Sequence, residues 1–125
     1  MTKSVLLIEN DEAIAEIVDY ILTDAGYQVS QTPPAHYLEA VKSINPDVVL
    51  LDYSLSGNIT GDMICARLKA NNETTHIPVI IVSAVVGLDD IARACNANDI
   101  LVKPFDITDL EQVVNKWFDK SRLAS

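Results

Sequence analysis

The chain has 125 residues, of which 49% are hydrophobic and 22% charged, a length and composition typical of one ordinary globular domain rather than a disordered or fibrous protein. Its 18 acidic side chains outnumber its 9 Lys and Arg residues, and the net charge of −9 argues against direct nucleic-acid binding by this domain. No apolar run reaches the roughly 20 residues that cross a bilayer, and the first residues lack the apolar core of a secretion signal, so we expect one cytoplasmic domain over residues 1–125 without membrane contact.

The first predicted strand, Val5–Ile8, is entirely apolar and leads into the acidic turn Glu9–Glu12. Asn10 or Asp11 can cap the helix that follows, whose apolar residues recur at three- and four-residue steps until a glycine ends it. The apolar positions of this helix are Ile14, Ile17, Val18, Ile21, Leu22 and Ala25. Tyr27–Gln31 then alternates between apolar and polar side chains, which predicts an edge strand.

The third predicted strand is the most apolar part of the chain. A second helix lies between Pro33-Pro34 and Asn45-Pro46, and the strand Val48–Leu51 follows it. Both faces of this strand are apolar, which is typical of a parallel sheet covered by helices on each side. The strand ends on Asp52, and open α/β sheets bind their ligands beyond the carboxyl ends of the strands. Asp52 therefore predicts a functional site.

The second half of the chain continues the alternation of strand and helix. The predicted elements are a helix over Asp62–Ala70, a strand over Pro78–Ala84, a weakly apolar helix over Gly87–Ala97, a strand over Asp99–Val102 and a last helix from Asp106. The apolar positions of the last helix are Ile107, Leu110, Val113, Val114, Trp117 and Phe118. Strand and helix thus alternate five times without an internal repeat, which predicts an α/β fold with a doubly wound parallel sheet.

Five polar side chains follow or end the apolar strands, namely Glu9, Asn10, Asp52, Ser83 and Lys103. In a parallel sheet these residues converge at one edge. Carboxylate and amide oxygens suit a hard cation such as Mg²⁺, and a lysine ammonium and a hydroxyl suit phosphoryl oxygens. The set predicts phosphoryl transfer onto Asp52 as nucleophile, with Lys103 and Ser83 positioning the group.

The cysteines and histidines show no metal-ligand spacing. Cys65 and Cys95 lie in predicted helices and are expected to be reduced, partly buried thiols. His36 and His76 stand apart in polar surroundings and are expected at the surface.

Taken together, four segments resemble the receiver domains of two-component response regulators. The segments are Leu7–Glu12, Asp47–Asp52, Pro78–Ala84 and Lys103–Phe105, and the resemblance extends from Val5 to about Phe118. It implies a flavodoxin-like fold with five helices and strand order 2-1-3-4-5, and a cis Lys103-Pro104 bond.

The resemblance also implies a role for each site residue. Asp52 would accept a phosphoryl group from a sensor histidine kinase or phosphotransfer protein, assisted by Lys103 and Ser83. Mg²⁺ would be held by Glu9, Asn10, Asp52 and the backbone carbonyl of Ser54. The protein would then be a signalling switch whose only reactions are its own phosphorylation and dephosphorylation.

Three positions depart from the family pattern. Asn10 aligns with the second of two adjacent acids, so we expect weaker Mg²⁺ binding than in a typical receiver unless Asp11 moves in. Ser56 stands where the family favours Pro, in a loop from Asp52 to Gly61 that is one residue longer than usual. Ile100 aligns with an aromatic residue, so no aromatic rotamer change can report phosphorylation.

Three other functions remain open at this point. A degenerate receiver would serve as a phosphorylation-independent interaction module, although the presence of Asp52, Ser83 and Lys103 argues against it. A nucleotide- or flavin-binding protein would need a glycine- or hydroxyl-rich turn where this chain has acids, and an Asp-nucleophile phosphatase would need Asp in place of Glu9. The output partner and a homodimer through the fourth and fifth helices are also left open.

Overall fold

The computed structural model describes residues 3–55 and 57–124, except for the side chains of residues 121–124. In chain order the elements are β1 (Lys3–Ile8), α1 (Glu12–Asp24), β2 (Tyr27–Gln31), a short 3₁₀ turn (Pro34–His36), α2 (Tyr37–Ile44), β3 (Val48–Asp52), α3 (Gly61–Ala70), β4 (Val79–Ser83), α4 (Leu88–Ala94), β5 (Asp99–Val102) and α5 (Ile107–Ala124). Within this part of the chain, no helix has the length and apolar character needed to span a membrane. The predicted departure at Ser56 lies outside the described residues.

The described strands form one parallel sheet in the order β2-β1-β3-β4-β5. This confirms the predicted doubly wound, flavodoxin-like α/β fold. β2 lies at an edge, as its alternating pattern predicts, whereas every residue of β3 is buried. β1 and β3 are neighbours at the point where the strand order reverses, so their carboxyl ends border the crevice in which such sheets bind ligands.

The core lies on both faces of the sheet because successive side chains of a strand point to opposite sides. On one face, Val5 and Leu50 pack against α1 and α5. On the other face, Leu6 and Leu51 pack against α2, α3 and α4. Strands that are apolar at every position are therefore buried on both sides and lie at the centre of the domain.

Three residues of the predicted apolar stripes lie outside the core, because Ala25, just after the end of α1, is exposed and so are Ile17 and Ile107. Ile17 of α1 is 58% exposed, because Ala15, Val18 and Leu22 form the buried face of that helix and Ile17, just before Val18, is rotated away from Val18 by about 100°. Ile107 is 56% exposed at the first position of α5. In each case the apolar stripe predicted from the sequence was wider than the face that the sheet covers.

The fourth helix is shorter than predicted. It begins after Gly87, whose φ of 82° is left-handed, and ends at Ala94, ahead of Asn96 with φ of 63°. Its predicted weakness is consistent with this short length. Cys65 of α3 and Cys95 at the end of α4 are free and fully buried, and the Cys65 thiol donates to the Cys95 carbonyl at 3.4 Å.

Candidate functional site

Asp52 ends β3 as a buried carboxylate with 5% of its surface exposed. It pairs with Val82 of β4, and the preceding residue, Leu51, pairs with Ile8 of β1. Its Oδ1 accepts a hydrogen bond from the backbone N–H of Ser54 at 3.3 Å. An apolar strand buried on both faces therefore delivers a single carboxylate to the edge of the sheet.

Glu9 follows β1 directly and is brought beside Asp52 by the pairing of β1 with β3. Its side chain is only 3% exposed. The pKa of the Glu9 carboxyl is raised from 4.5 to about 7, first by burial and then by the hydrogen bond and charge of Asp52, while Lys103 acts in the opposite direction. Two buried carboxylates in contact repel each other when both are ionised, so the pair favours either a shared proton or a nearby cation.

Lys103 supplies a positive charge to both carboxylates. Its Nζ lies 3.2 Å from Glu9 Oε1 and 3.5 Å from Asp52 Oδ2, and 20% of its side chain is exposed. The residue follows β5, where its backbone N–H donates to the carbonyl of Ser83 at 3.0 Å and its bond to Pro104 is cis, as predicted. One ammonium shared between two acids leaves the cluster with a formal charge of −1 when both acids are ionised.

Ser83 is the last residue of β4 and is buried at the same edge of the sheet. It lies one position beyond Val82, the residue that pairs with Asp52. Its Oγ accepts a hydrogen bond from the backbone N–H of Val85 at 3.1 Å. The hydroxyl is thus held by its own turn, next to the strand that carries the acceptor.

Asn10 and Asp11 follow Glu9 in the acidic turn, but unlike the Glu9 side chain they are exposed. Asp11 caps α1, with its Oδ1 accepting from Ala13 N at 2.9 Å and from Ile14 N at 3.2 Å. Of the two caps that the sequence left open, the structure therefore selects Asp11. Moving Asp11 toward Asp52 would break a cap worth about 0.5–2 kcal/mol, so Asp11 is a poor substitute for a metal ligand.

The segment after Asp52 is tied to two elements. The backbone N–H of Tyr53 donates to the carbonyl of Val82 at 3.1 Å, and the N–H of Gly61 donates to the carbonyl of Tyr53 at 2.9 Å. Sequence reasoning treated Gly61 only as the end of the loop. The signal that could have identified it is a glycine at the first turn of a helix, where nothing in the helix itself calls for one.

The donor set around Asp52 fits Mg²⁺. Mg²⁺ is usually held by one or two carboxylates, other oxygen ligands and water, which matches the chemistry of Glu9 and Asp52. The amide of Asn10 and the carbonyl of Ser54 are the further oxygen ligands that the family resemblance implies. Burial and the neighbouring Asp52 raise the pKa of the Glu9 carboxyl, so a cation bound here would offset the cost of ionising it. Among the described residues no cluster of three or more His, Cys, Asp and Glu side chains could hold a metal.

Comparison with known proteins identifies the family. The family model of the response regulator receiver domain matches residues 5–115. The "DNA-binding dual master transcriptional regulator RpaA" of Synechocystis sp. is 32% identical over 109 residues, which are 85% of this chain and 45% of RpaA, so the chain spans less than half of that relative's length.

Two solved structures share the fold. One is a response regulator receiver domain protein (CheY-like) from Methanospirillum hungatei JF-1, with a TM-score of 0.88, 19% identity and complete coverage of both chains (100% each). The other is the chemotaxis response regulator CheY4 of Vibrio cholerae, with a TM-score of 0.85 and 21% identity over 94% of this chain and 99% of that one. The chain belongs to the response regulator receiver domain family, whose general function is phosphorylation-dependent signalling in two-component systems.

Proposed function

We propose that this chain is an active receiver that accepts a phosphoryl group on Asp52 from a sensor histidine kinase or phosphotransfer protein. The observation that carries the proposal is the contact of one lysine with two buried carboxylates at the strand edge, Lys103 with Glu9 and Asp52. A buried cluster of this kind has no evident structural benefit, because an apolar trio would be cheaper to bury. Phosphoryl chemistry explains why it is present.

In the proposed reaction an ionised oxygen of Asp52 attacks the phosphorus of a phosphohistidine. An O–P bond forms, the N–P bond breaks, and the released imidazole nitrogen takes up a proton. No general base is required, because the carboxylate is already a nucleophile. Lys103 then exchanges its contact with the Asp52 carboxylate for one with a phosphoryl oxygen, and the Ser83 hydroxyl donates to another.

We propose Glu9, Asp52, the side chain of Asn10 and the carbonyl of Ser54 as the residues that hold Mg²⁺. Bound there, Mg²⁺ would neutralise charge that develops on the phosphoryl oxygens. Glu9 must release its proton to serve as a ligand, so its raised pKa of about 7 makes the proposed Mg²⁺ binding weaken as the pH falls below that value. Asn10 provides an oxygen without charge, which supports the expectation of weaker Mg²⁺ binding than an acid would give.

The proposed output is a shift of Ser83 and α4 after phosphorylation. α4 begins after Gly87 without a side-chain cap and is seven residues long, so little local structure holds it. Ile100 is partly buried against the cluster that includes Leu88 of α4, and an aliphatic side chain there excludes an aromatic rotamer switch. The chain would act in the cytoplasm as a single domain over residues 1–125, on an output domain or protein, with a homodimer through α4 and α5 as one form of output.

A degenerate receiver is the second candidate, favoured by the uncharged and exposed Asn10. In that case the domain would bind its partner whether or not Asp52 carries a phosphoryl group. The two functions differ in one measurable property, because only the first requires a covalent change at Asp52.

The test is the intact mass of the protein after incubation with acetyl phosphate, with and without Mg²⁺. The natural chain should gain one phosphoryl group only with Mg²⁺, and Asp52→Asn should gain none. Asp89→Asn removes an exposed acid of α4 and should behave like the natural chain. If the natural chain gains nothing at any Mg²⁺ concentration, the degenerate receiver becomes the better description.

A further inference from the structure

The first residue of α3 lies against the backbone of the phosphoacceptor. A Cβ added to Gly61 would overlap the carbonyl oxygen of Asp52 and would lie 2.9 Å from its carbonyl carbon and 2.8 Å from Tyr53 Cα. Carbon atoms in ordinary contact are about 3.5–4.0 Å apart. Because the neighbours are backbone atoms rather than flexible side chains, they cannot move away without moving Asp52 itself.

Space, and not an unusual backbone conformation, is what requires glycine at this position. The described glycines with left-handed φ are Gly26, Gly57 and Gly87, and none of them has an atom within 4 Å of an added Cβ. Gly61 has the opposite properties, since its φ lies outside that region and its surroundings are full. A larger residue at position 61 would therefore act on the site through contact.

The same close approach closes the exit loop at its base. Gly61 N–H donates to the carbonyl of Tyr53, and Tyr53 N–H donates to Val82 of β4, so the backbone on either side of the Asp52–Tyr53 bond is held by β4 and α3. Residues 54–60 therefore connect two residues, Tyr53 and Gly61, that are hydrogen-bonded to each other. A change of length in that loop need not reach Asp52, because loops with fixed ends absorb such changes at the surface.

We propose that Gly61 is a positioning residue for the acceptor site. Its missing side chain lets α3 close on Asp52 and Tyr53, which fixes the direction of the Asp52 carboxylate and of the Ser54 carbonyl independently of the rest of the loop. The inference rests on the proposed function and would explain how an exit loop that the family resemblance predicts to be one residue longer than usual leaves the acceptor site undisturbed.

The experiment measures Mg²⁺ binding by calorimetry, without a phosphoryl donor, alongside urea unfolding. Gly61→Ala should weaken Mg²⁺ binding by roughly 10- to 100-fold, the usual effect of displacing a metal ligand's support. Gly57→Ala is the matched control, because it introduces the same methyl group into the same loop, strains a left-handed φ, and meets no neighbour. Removal of the exposed Asn58, which shortens the loop, should change the affinity by less than about threefold.

Urea unfolding separates positioning from simple loss of stability. If Gly61 contributed only to stability, Gly61→Ala would have a lower free energy of unfolding, but its folded molecules would bind Mg²⁺ with the same affinity as the natural chain. That result would overturn the inference. Equal loss of affinity in Gly61→Ala and Gly57→Ala would also overturn it. If Gly61→Ala fails to fold, removal of Asn58 decides: unchanged affinity supports the inference and a tenfold loss contradicts it.

The outcome is also distinguishable from failure of the proposed function. Suppose that Mg²⁺ affinity falls in Gly61→Ala but not in Gly57→Ala, while the natural chain gains no phosphoryl group. This result would refute phosphorylation of Asp52 and support the positioning role. A natural chain that binds no Mg²⁺ would overturn the positioning role as stated.

Discussion

Ionised Glu9 should destabilise the metal-free protein, and Glu9→Gln should remove that cost. The fold raises the Glu9 pKa from 4.5 to about 7, and at about 1.4 kcal/mol per pKa unit this corresponds to about 3 kcal/mol. Below pH 4.5 the carboxyl is protonated in both the folded and the unfolded protein, so it makes no difference to stability. Between pH 4.5 and about 7 only the unfolded chain releases the proton, so the free energy of unfolding falls as pH rises, and above about 7 the loss is complete.

The assay is urea unfolding as a function of pH in the presence of a chelator, followed by the fluorescence of Trp117, which packs on the core and donates to Asp99 at 2.7 Å. Glutamine has the shape of the protonated acid and keeps a neutral oxygen near Lys103. Glu9→Gln should therefore be more stable than the natural chain at about pH 8, by up to about 3 kcal/mol, and the difference should shrink to below about 1 kcal/mol near pH 5. Saturating Mg²⁺ should reverse the order, because only the charged side chain binds the cation strongly.

Glu16→Gln is the control, since Glu16 is an exposed acid on α1 and its removal should not change the slope with pH. The reasoning would be refuted if Glu9→Gln were less stable than the natural chain at about pH 8, because the ion pair of Glu9 with Lys103 would then outweigh the cost of burial and of the Asp52 charge.

Three further predictions concern Asn10, Asp11 and the two cysteines. Asn10→Asp should tighten Mg²⁺ binding at least tenfold by calorimetry, since a unit charge about 4 Å from a cation is worth up to about 4 kcal/mol at an effective dielectric near 20; an unchanged affinity would show that the amide is not the weak ligand. Asp11→Ala should lower the free energy of unfolding by about 0.5–2 kcal/mol through loss of the α1 cap and leave the Mg²⁺-dependent mass gain intact; loss of the mass gain would instead make Asp11 a ligand. Cys65 and Cys95 should react with an aromatic disulfide only as the protein unfolds in urea, because both are buried and burial raises the pKa of the Cys65 thiol; fast labelling of the folded protein would contradict this.

The sheet and the acceptor strand could be predicted because their signal is local. Val48–Leu51 is apolar at every position, which leaves a parallel strand covered on both faces as the natural interpretation, and β3 is buried throughout. The position of Asp52 at the carboxyl end of this strand could be predicted in the same way. The alternating pattern of Tyr27–Gln31 likewise predicted the edge strand β2.

Amphipathic helices were predicted less well in detail. A periodic stripe shows that a helix has an apolar side, but the width of the buried face depends on what packs against it. Ile17 and Ile107 belong to such stripes and are nonetheless exposed, since the sheet and the neighbouring helix cover only part of each stripe.

The sequence by itself determined the fold class, the residue types at one edge of the sheet and, through a family resemblance, the strand order. It could do so because apolar periodicity and the residues that end each strand depend only on short stretches of the chain. Only the tertiary structure decided how those residues interact. Glu9 and Lys103 are 94 positions apart, and their contact depends on β1 and β5 holding opposite sides of β3 and β4. The raised pKa of Glu9 and the close approach of Gly61 to Asp52 both depend on distances of a few ångströms between segments that the chain brings together only when it packs.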